Sequence, residues 1–191
     1  MAVLRVAALG LLTSSAVQAA EPQVTLDELM TALRSVHHVE ARYIEHRYLH
    51  VLRSPVEIRG GLHFQAPSHL EKTTDGTGER LAIDGDRLTI DRGSGASPVV
   101  LSLREHPEIG VLVDSIRATL SGDGDALRRI FDVTLSGSID HWQLVLQPRN
   151  GAQHEVLQWM RISGYGERIT AIDTADGEGD RSEMSIVELA P

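Results

Sequence analysis

Residues 81–90, LAIDGDRLTI, decide the fold class of this chain of 191 residues. Leu81 and Ile83 share one side of the first arm, Leu88 and Ile90 share one side of the second, and an Asp-Gly step lies between the arms. This arrangement predicts a tight β-hairpin, because the glycine tolerates the positive φ that the turn requires. At this point the chain is therefore expected to form antiparallel strands.

The residues before the hairpin predict a helix followed by two strands. Residues 25–28, TLDE, form a capping box, and apolar residues follow them at helical spacing as far as Val36. Residues 41–52 predict a long strand, although their alternation does not identify the face that points inward. Residues 56–64 alternate more regularly and predict the next strand.

The residues after the hairpin predict a further strand, then helices, then more strands. Residues 99–103 continue the alternating pattern, and Pro107 then begins an apolar stripe of helical spacing that ends at Gly122. A short helical piece follows at 126–131, and five strands separated by turn residues follow between 133 and 187. Short turns between successive strands predict an α+β protein, in which helices cover the concave side of one strongly curved antiparallel sheet.

The first 20 residues predict a secretory signal peptide. Arg5 supplies a positive start, residues 6–12 are predominantly apolar, and residues 17–19 form a small-x-small cleavage site. This segment is too short to span a bilayer. We therefore expect residues 1–20 to be removed and residues 21–191 to fold as a single domain.

The amino-acid composition limits the cellular compartment and the classes of partner that this chain is expected to have. The chain contains no cysteine, which excludes disulfides, thiolate metal sites and the acylated cysteine of a bacterial lipoprotein. Its formal net charge of −9 argues against nucleic acid as a partner and against electrostatic attachment to anionic lipid head groups. The expectation is an exported monomer that is freely soluble in the periplasm.

The sequence lacks the common motifs of enzyme and metal chemistry. His46 and His50 are four residues apart, which on a strand separates them by roughly 13 Å, too far for one ion. The chain has no Gly-x-Ser-x-Gly elbow and no phosphate-binding glycine loop, and residues 93–97 predict a hairpin tip. We therefore expect no catalytic residue, no metal and no cofactor, while a hydrolase with an unfamiliar site stays as an alternative.

Residues 29–45, 61–67 and 83–90 carry a resemblance to a known family. The first comprises a helix that leads into the strand ARYIE, the second is GLHFQAP, and the third is IDGDRLTI. In this order they resemble the periplasmic outer-membrane lipoprotein carrier family of the LolA type. The resemblance implies an unclosed, strongly curved antiparallel β-barrel of about ten or eleven strands, with an α-helical lid over an apolar cavity.

The resemblance also implies a function. A LolA-like protein binds the acyl chains of lipoproteins, or of related lipids, and shuttles them from an inner-membrane release complex toward an outer-membrane acceptor. In that family an arginine latches the lid by hydrogen bonding to its carbonyl groups, and Arg59 is the candidate for this role here. An ordinary solvated strand residue is the alternative for Arg59.

Twelve apolar residues are predicted to contact the cargo. The candidates on the helices are Leu29, Leu33, Val36, Ile116 and Leu120. The candidates on the strands are Ile58, Leu62, Phe64, Leu81, Ile83, Leu88 and Ile90. Ordinary core packing is the alternative for each of them, because a core and a closed cavity use the same residue types.

Two further functions stay open beside the lipoprotein carrier. One is a lipid-sensing or interaction module of the cell envelope with a similar half-barrel. The other is a carrier for other acylated or polyene lipids. The sequence does not distinguish these cargoes, because hydrocarbon of any origin is bound by the same apolar side chains.

Overall fold

The computed structural model describes residues 23–93 and 95–190. The predicted signal peptide of residues 1–20 lies outside these ranges. The described residues form three α-helices and one β-sheet, with a short 3-10 turn at Gly151–Gln153.

The helices of the described ranges are α1 (Leu26–Arg34), α2 (Pro107–Leu120) and α3 (Gly124–Ile130). The predicted capping box at the start of α1 is confirmed. The Glu28 N–H donates to Thr25 Oγ1 at 3.3 Å, and the Thr25 N–H donates to the Glu28 carboxylate at 2.8 Å, so two backbone donors at the helix start are satisfied. None of these helices has the length and the apolar character that a bilayer crossing requires.

Eleven strands of the described residues form the sheet. They are β1 (His38–Tyr48), β2 (Val56–Gln65), β3 (His69–Thr74), β4 (Arg80–Asp84), β5 (Arg87–Asp91), β6 (Val99–Ser102), β7 (Phe131–Ser138), β8 (His141–Pro148), β9 (Trp159–Tyr165), β10 (Arg168–Ala175) and β11 (Arg181–Glu188). The predicted hairpin is confirmed, because Asp84 pairs with Arg87 across the turn between β4 and β5.

The sheet is antiparallel throughout and is not closed. Its strand order is β6-β5-β4-β3-β2-β1-β11-β10-β9-β8-β7, so β6 and β7 are its two edges. The first and last strands pair at its centre, with Ala41 opposite Glu188 and Tyr48 opposite Arg181. The predicted α+β fold, an unclosed and strongly curved antiparallel barrel with a helical lid, is confirmed.

Strand β3 was not predicted from the residue pattern. Its sequence, HLEKTT, contains one apolar residue, and all six of its positions are half-buried. Pairing on both sides holds it in the sheet, since Leu70 lies opposite Phe64 on β2 and opposite Ile83 on β4. A strand that carries charged residues on both faces gives no alternation of apolar and polar residues to read.

The main core lies between the helices and one half of the sheet. It joins α1, α2 and α3 to strands β7, β8 and β9, and its largest fully buried side chains include Leu29, Leu127, Phe131, Leu144 and Ile162. Helix α2 also reaches the other half of the sheet, where Val113 packs with Leu88 and Leu103. The helices therefore bridge the two halves of the curved sheet and cover the space between them.

The helices are tied to one another by polar contacts. The Arg34 guanidinium at the end of α1 donates to the Gly122 carbonyl between α2 and α3 at 2.7 Å. The Arg128 guanidinium on α3 lies 3.0 Å from the Asp27 carboxylate on α1. Because each end of α1 is joined to the other helices, the three helices form one cover.

Candidate functional site

A cavity of about 500 Å³ lies between the helical cover and the inner face of the sheet. Helices α1 and α2 contribute apolar side chains from one side, and strands β1 to β5 and β9 to β11 contribute them from the other. This volume is within the range of about 300–1,000 Å³ that small-molecule sites occupy. The curvature of the sheet thus leaves a hydrocarbon-lined space that the protein's own side chains do not fill.

The inner face of β1 is now identified. Val39, Ala41, Tyr43, Glu45 and Arg47 point toward the helices, and the residues between them point outward. Ala41 lies opposite Leu62, and Val39 lies opposite Phe64, so the inner faces of β1 and β2 form a continuous apolar wall. The inner face was unassigned from sequence because charged residues occupy both faces of this strand.

Nine of the twelve predicted cargo residues line this cavity. They are Leu33, Val36, Leu62, Phe64, Leu81, Ile83, Leu88, Ile116 and Leu120. The structure brings these residues together from α1, α2, the segment after α1 and strands β2, β4 and β5, although they are separated by up to 87 positions in the chain.

The other three predicted residues lie outside the lining. Leu29 is fully buried in the main core, in one cluster with side chains of the other helices and of β7 to β9. Ile58 packs beside the cluster of Ala41, Tyr43 and Ile186. Ile90 packs beside Leu88 near the edge of the sheet. These three side chains support the cavity walls without facing the cavity.

Arg59 does not face the helices. Its side chain is 59 % exposed, and its Nε donates to the Glu57 carboxylate at 2.7 Å on the outer face of β2. Because Arg59 and Leu62 are an odd number of residues apart on one strand, their side chains point to opposite faces. Arg59 is therefore placed as a solvated strand residue, which was the alternative to its role as the lid latch.

Several lining residues were not among the predicted ones. Ile109, Leu112 and Val113 belong to the apolar stripe of α2, and their helical spacing was visible in the sequence. Strands β9 and β11 contribute apolar side chains at every second position, namely Met160, Ile162, Met184 and Ile186. Strand β10 contributes Ile169 and Ile172, which are three residues apart because the ladder shifts register after Ile169. The sequence spacing indicated that these side chains share one face of their strands. Their position opposite the residues of the first hairpins follows only from the pairing of β11 with β1.

One end of the cavity is charged. The Glu45 carboxylate is 3 % exposed and accepts hydrogen bonds from Arg47 Nε at 2.8 Å, Lys72 Nζ at 2.5 Å and Ser182 Oγ at 2.7 Å. Burial alone would raise the pKa of Glu45, but these donors and the positive charge of Lys72 outweigh burial and lower it to about 2. Glu45 therefore stays ionised in a cavity whose lining is mostly apolar.

Lys72 is the cationic partner deepest in this cluster. Its ammonium group lies 4.7 Å from the centre of the Tyr43 ring, which adds a cation–π contact. Burial lowers the pKa of Lys72, and the ion pair with Glu45 opposes that shift. The cluster combines two cations, Lys72 and Arg47, with the single carboxylate of Glu45.

The low pKa of Glu45 predicts a pH-dependent stability. Because this pKa lies below the ordinary value of 4.5, the stabilisation is complete above about pH 4.5 and is lost as the pH falls toward 2. At pH 6 we expect the free energy of unfolding of the wild-type protein to exceed that of the Glu45→Gln variant. At pH 3 this excess should be smaller by about 2 kcal/mol. Urea unfolding of both proteins measures this difference, and a constant difference would show that the carboxylate does not titrate as assigned.

A group of possible metal ligands lies on the outer face of β1 and β2. His38, Glu40 and His63 offer donor atoms that are all within 4.8 Å of one another, and the two imidazole rings are 5.0 Å apart. His46 and His50, the pair considered as metal ligands from the sequence, do not share a site. His46 pairs with Glu57, and His50 pairs with Asp180. The signal that was missed is the spacing His-x-Glu, since residues two apart on a strand share a face.

A family model described as "Outer membrane lipoprotein carrier protein LolA-like" matches residues 18–188. No curated protein sequence matches the chain.

The matching solved structures share little sequence with this chain. A LolA superfamily protein from Nitrosomonas europaea is 9 % identical over 88 % of this chain and 94 % of that one, with a TM-score of 0.43. A domain from Vibrio parahaemolyticus, provisionally assigned to outer membrane lipoprotein sorting, is 8 % identical over 86 % and 91 %, with a TM-score of 0.49. LprF from Mycobacterium bovis is 11 % identical over 87 % and 91 %, with a TM-score of 0.36.

Proposed function

Because this chain belongs to the outer membrane lipoprotein carrier protein LolA-like family, we propose that it is an envelope carrier for acyl chains. In this proposal the cavity holds the acyl chains of a lipoprotein or a related lipid and releases them toward the outer membrane. The observation that carries the proposal is the apolar space of about 500 Å³ beneath the helical cover.

The proposed carrier works in the periplasm, between a complex that loads it and an acceptor that unloads it. Residues 1–20 act as a signal peptide, and residues 21–191 act as one monomeric carrier domain in the periplasm. An inner-membrane complex loads the cargo, and an outer-membrane acceptor receives it. Cargo binding requires no catalytic residue and no cofactor.

The energetic reason for a carrier is the cost of exposing hydrocarbon to water. At about 0.8 kcal/mol for each methylene group, a chain of sixteen carbons costs on the order of 12 kcal/mol to expose. The nine predicted residues that line the cavity replace water around such a chain. Leu29, Ile58 and Ile90 then hold the walls in place from behind.

Release depends on how the empty carrier behaves. Leu33, Ile116 and Leu120 on the helices, and Val36 just after α1, line the cavity together with Leu62, Phe64 and Ile83 on the sheet. Closing the helices onto the sheet would bury these surfaces against each other. That closure lowers the free energy of the empty state, so it subtracts from the net affinity for cargo. A carrier of this kind binds its cargo strongly enough to cross water and weakly enough to give it up.

A binding and transfer experiment tests this function. We expect the purified protein to bind a fluorescent C16 acyl probe saturably and to speed the movement of an acylated peptide between two vesicle populations. The peptide should be recovered with its acyl chain intact by mass spectrometry, since a carrier returns its ligand unchanged. Absence of saturable binding would contradict the carrier function, and cleavage of the acyl bond would identify a hydrolase.

A further inference from the structure

The chain contains one lysine among its 18 basic residues, and that lysine lies inside the cavity. Lys72 is on the inner face of β3, directly opposite Leu62 on β2 and Leu81 on β4. Both neighbours belong to the apolar lining. An ammonium group therefore occupies a position where the flanking strands carry leucine.

The charges around Lys72 do not balance within their own cluster. Lys72 and Arg47 each carry a positive charge, and the Glu45 carboxylate that accepts their hydrogen bonds carries one negative charge. Burial lowers the pKa of Lys72, the ion pair with Glu45 opposes that shift, and the nearby positive charge of Arg47 adds to it. One further anion would bring the charge of Lys72, Arg47 and Glu45 to zero.

We propose that this end of the cavity binds the anionic group of an amphiphile, a carboxylate or a phosphate carried on a long hydrocarbon tail. The inference rests on the proposed function and names the class of cargo for the same cavity. Apolar residues here would serve a purely hydrocarbon ligand at least as well, because desolvating charges is costly even when they are paired.

The cluster has the donors that such an anion needs. Lys72 carries three N–H donors and Arg47 carries five, while the contacts of the described residues direct one from Lys72 and two from Arg47 to Glu45. The side chain of Arg47 is 45 % exposed and reaches water, so an anionic group can be hydrated on one side while Lys72 contacts it on the other. Thr174 and Ser182 add hydroxyl groups to the same lining.

The cavity also has length for the tail. Val39 and Glu45 both face inward on β1 and are six residues apart, which corresponds to roughly 20 Å along the strand. From the charged end, the tail runs past Ala41 and Leu62 toward Val36, just after α1, and Ile116 on α2. An anion-headed amphiphile with a single long tail fits this polarity, with its head at Lys72 and its tail beneath the cover.

The inference predicts opposite effects of two substitutions on anionic ligands. We expect Lys72→Met to weaken binding of hexadecanoate and hexadecyl phosphate about tenfold and to leave binding of hexadecanol unchanged. Glu45→Gln should strengthen binding of both anions, because it removes the internal competitor. Arg42→Met is the matched control, since Arg42 lies on the outer face of β1 and pairs with Asp75. Lys72→Arg should restore most of the affinity.

Isothermal titration of the wild-type protein and the variants with all three ligands measures these effects. Tighter binding of the phosphate or of the carboxylate identifies which anion the site prefers. If Lys72→Met weakens hexadecanol as much as the anions, or weakens none of them, the charged end does not recognise an anion, while the carrier function stands. If the wild-type protein binds none of the three ligands, the proposed function fails together with the inference.

A second measurement uses the wild-type protein alone, and so does not depend on the folding of a variant. An amine-reactive reagent can modify only Lys72 and the amino group of the chain terminus. We expect hexadecanoate to slow the modification of Lys72 about tenfold, to slow it more than hexadecanol does, and to leave the terminal amine unaffected. Peptide mapping by mass spectrometry gives both rates. Equal rates of Lys72 modification with and without hexadecanoate would overturn the inference.

Discussion

Replacing Ile83 with aspartate is expected to abolish binding of a C16 acyl chain while the sheet stays folded. Ile83 lines the cavity from β4 and lies opposite Leu70 and Leu88, which also face the cavity. In the empty protein, water in the cavity can solvate the new carboxylate. A bound acyl chain would remove that water, and an unpaired charge against hydrocarbon costs about 3 kcal/mol or more, equivalent to a loss of at least about 100-fold in affinity.

The matched control for this variant is Val100→Asp. Val100 lies on edge strand β6 and is 53 % exposed, so the same substitution introduces the same charge outside the cavity. Circular dichroism verifies folding, and titration with the fluorescent acyl probe compares the two variants. If Ile83→Asp folds and binds the probe with wild-type affinity, the acyl chain does not lie in this cavity.

Replacing Gly60 with alanine is expected to destabilise the protein by about 3 kcal/mol or more, or to prevent folding. A Cβ atom at Gly60 would lie 1.7 Å from the Thr73 carbonyl oxygen and 2.8 Å from Cε1 of the Tyr43 ring. The carbonyl belongs to the backbone of β3, so the clash is relieved only by moving that strand. Gly60 thus allows β2 and β3 to approach closely where Tyr43 packs over them.

Gly61→Ala is the control in the same strand. Its Cβ atom would approach the Thr73 hydroxyl at 2.9 Å, and a side-chain hydroxyl can rotate away. We expect this variant to lose about 1 kcal/mol or less, as measured by urea unfolding. Equal losses for the two variants would mean that the close approach of β3 at Gly60 is not a constraint on the fold.

Local sequence signals predicted most of the architecture. The capping box of residues 25–28, the Asp-Gly hairpin and the proline at the start of α2 each act within a few residues, so their chemistry is readable without the rest of the chain. Strand β3 was missed because neighbouring strands on both sides, and not its own residues, hold it in the sheet. The pairing of β1 with β11 joins the two ends of the described chain and has no local signal at all.

Residues of the candidate site could be predicted where their helix or strand has one clearly apolar face. Leu62 and Phe64 on β2 both line the cavity, and their spacing of two had assigned them to one face of the strand. Leu29 lies one turn before Leu33 on the same face of α1. Both are buried in the main core, but only Leu33 also lines the cavity. Glu45 and Lys72 were not predicted. The inward face of a strand is recognised by its apolar residues, and these two charged residues lie on that face.

A crystal structure of the protein grown with a C16 acyl ligand tests the central claim most directly. The account predicts continuous density for the hydrocarbon chain between α2 and the inner faces of β1 to β4, in contact with Ile83 and Ile116. It would be contradicted by a structure in which the protein's own side chains fill that space and the ligand is absent or lies on the outer surface.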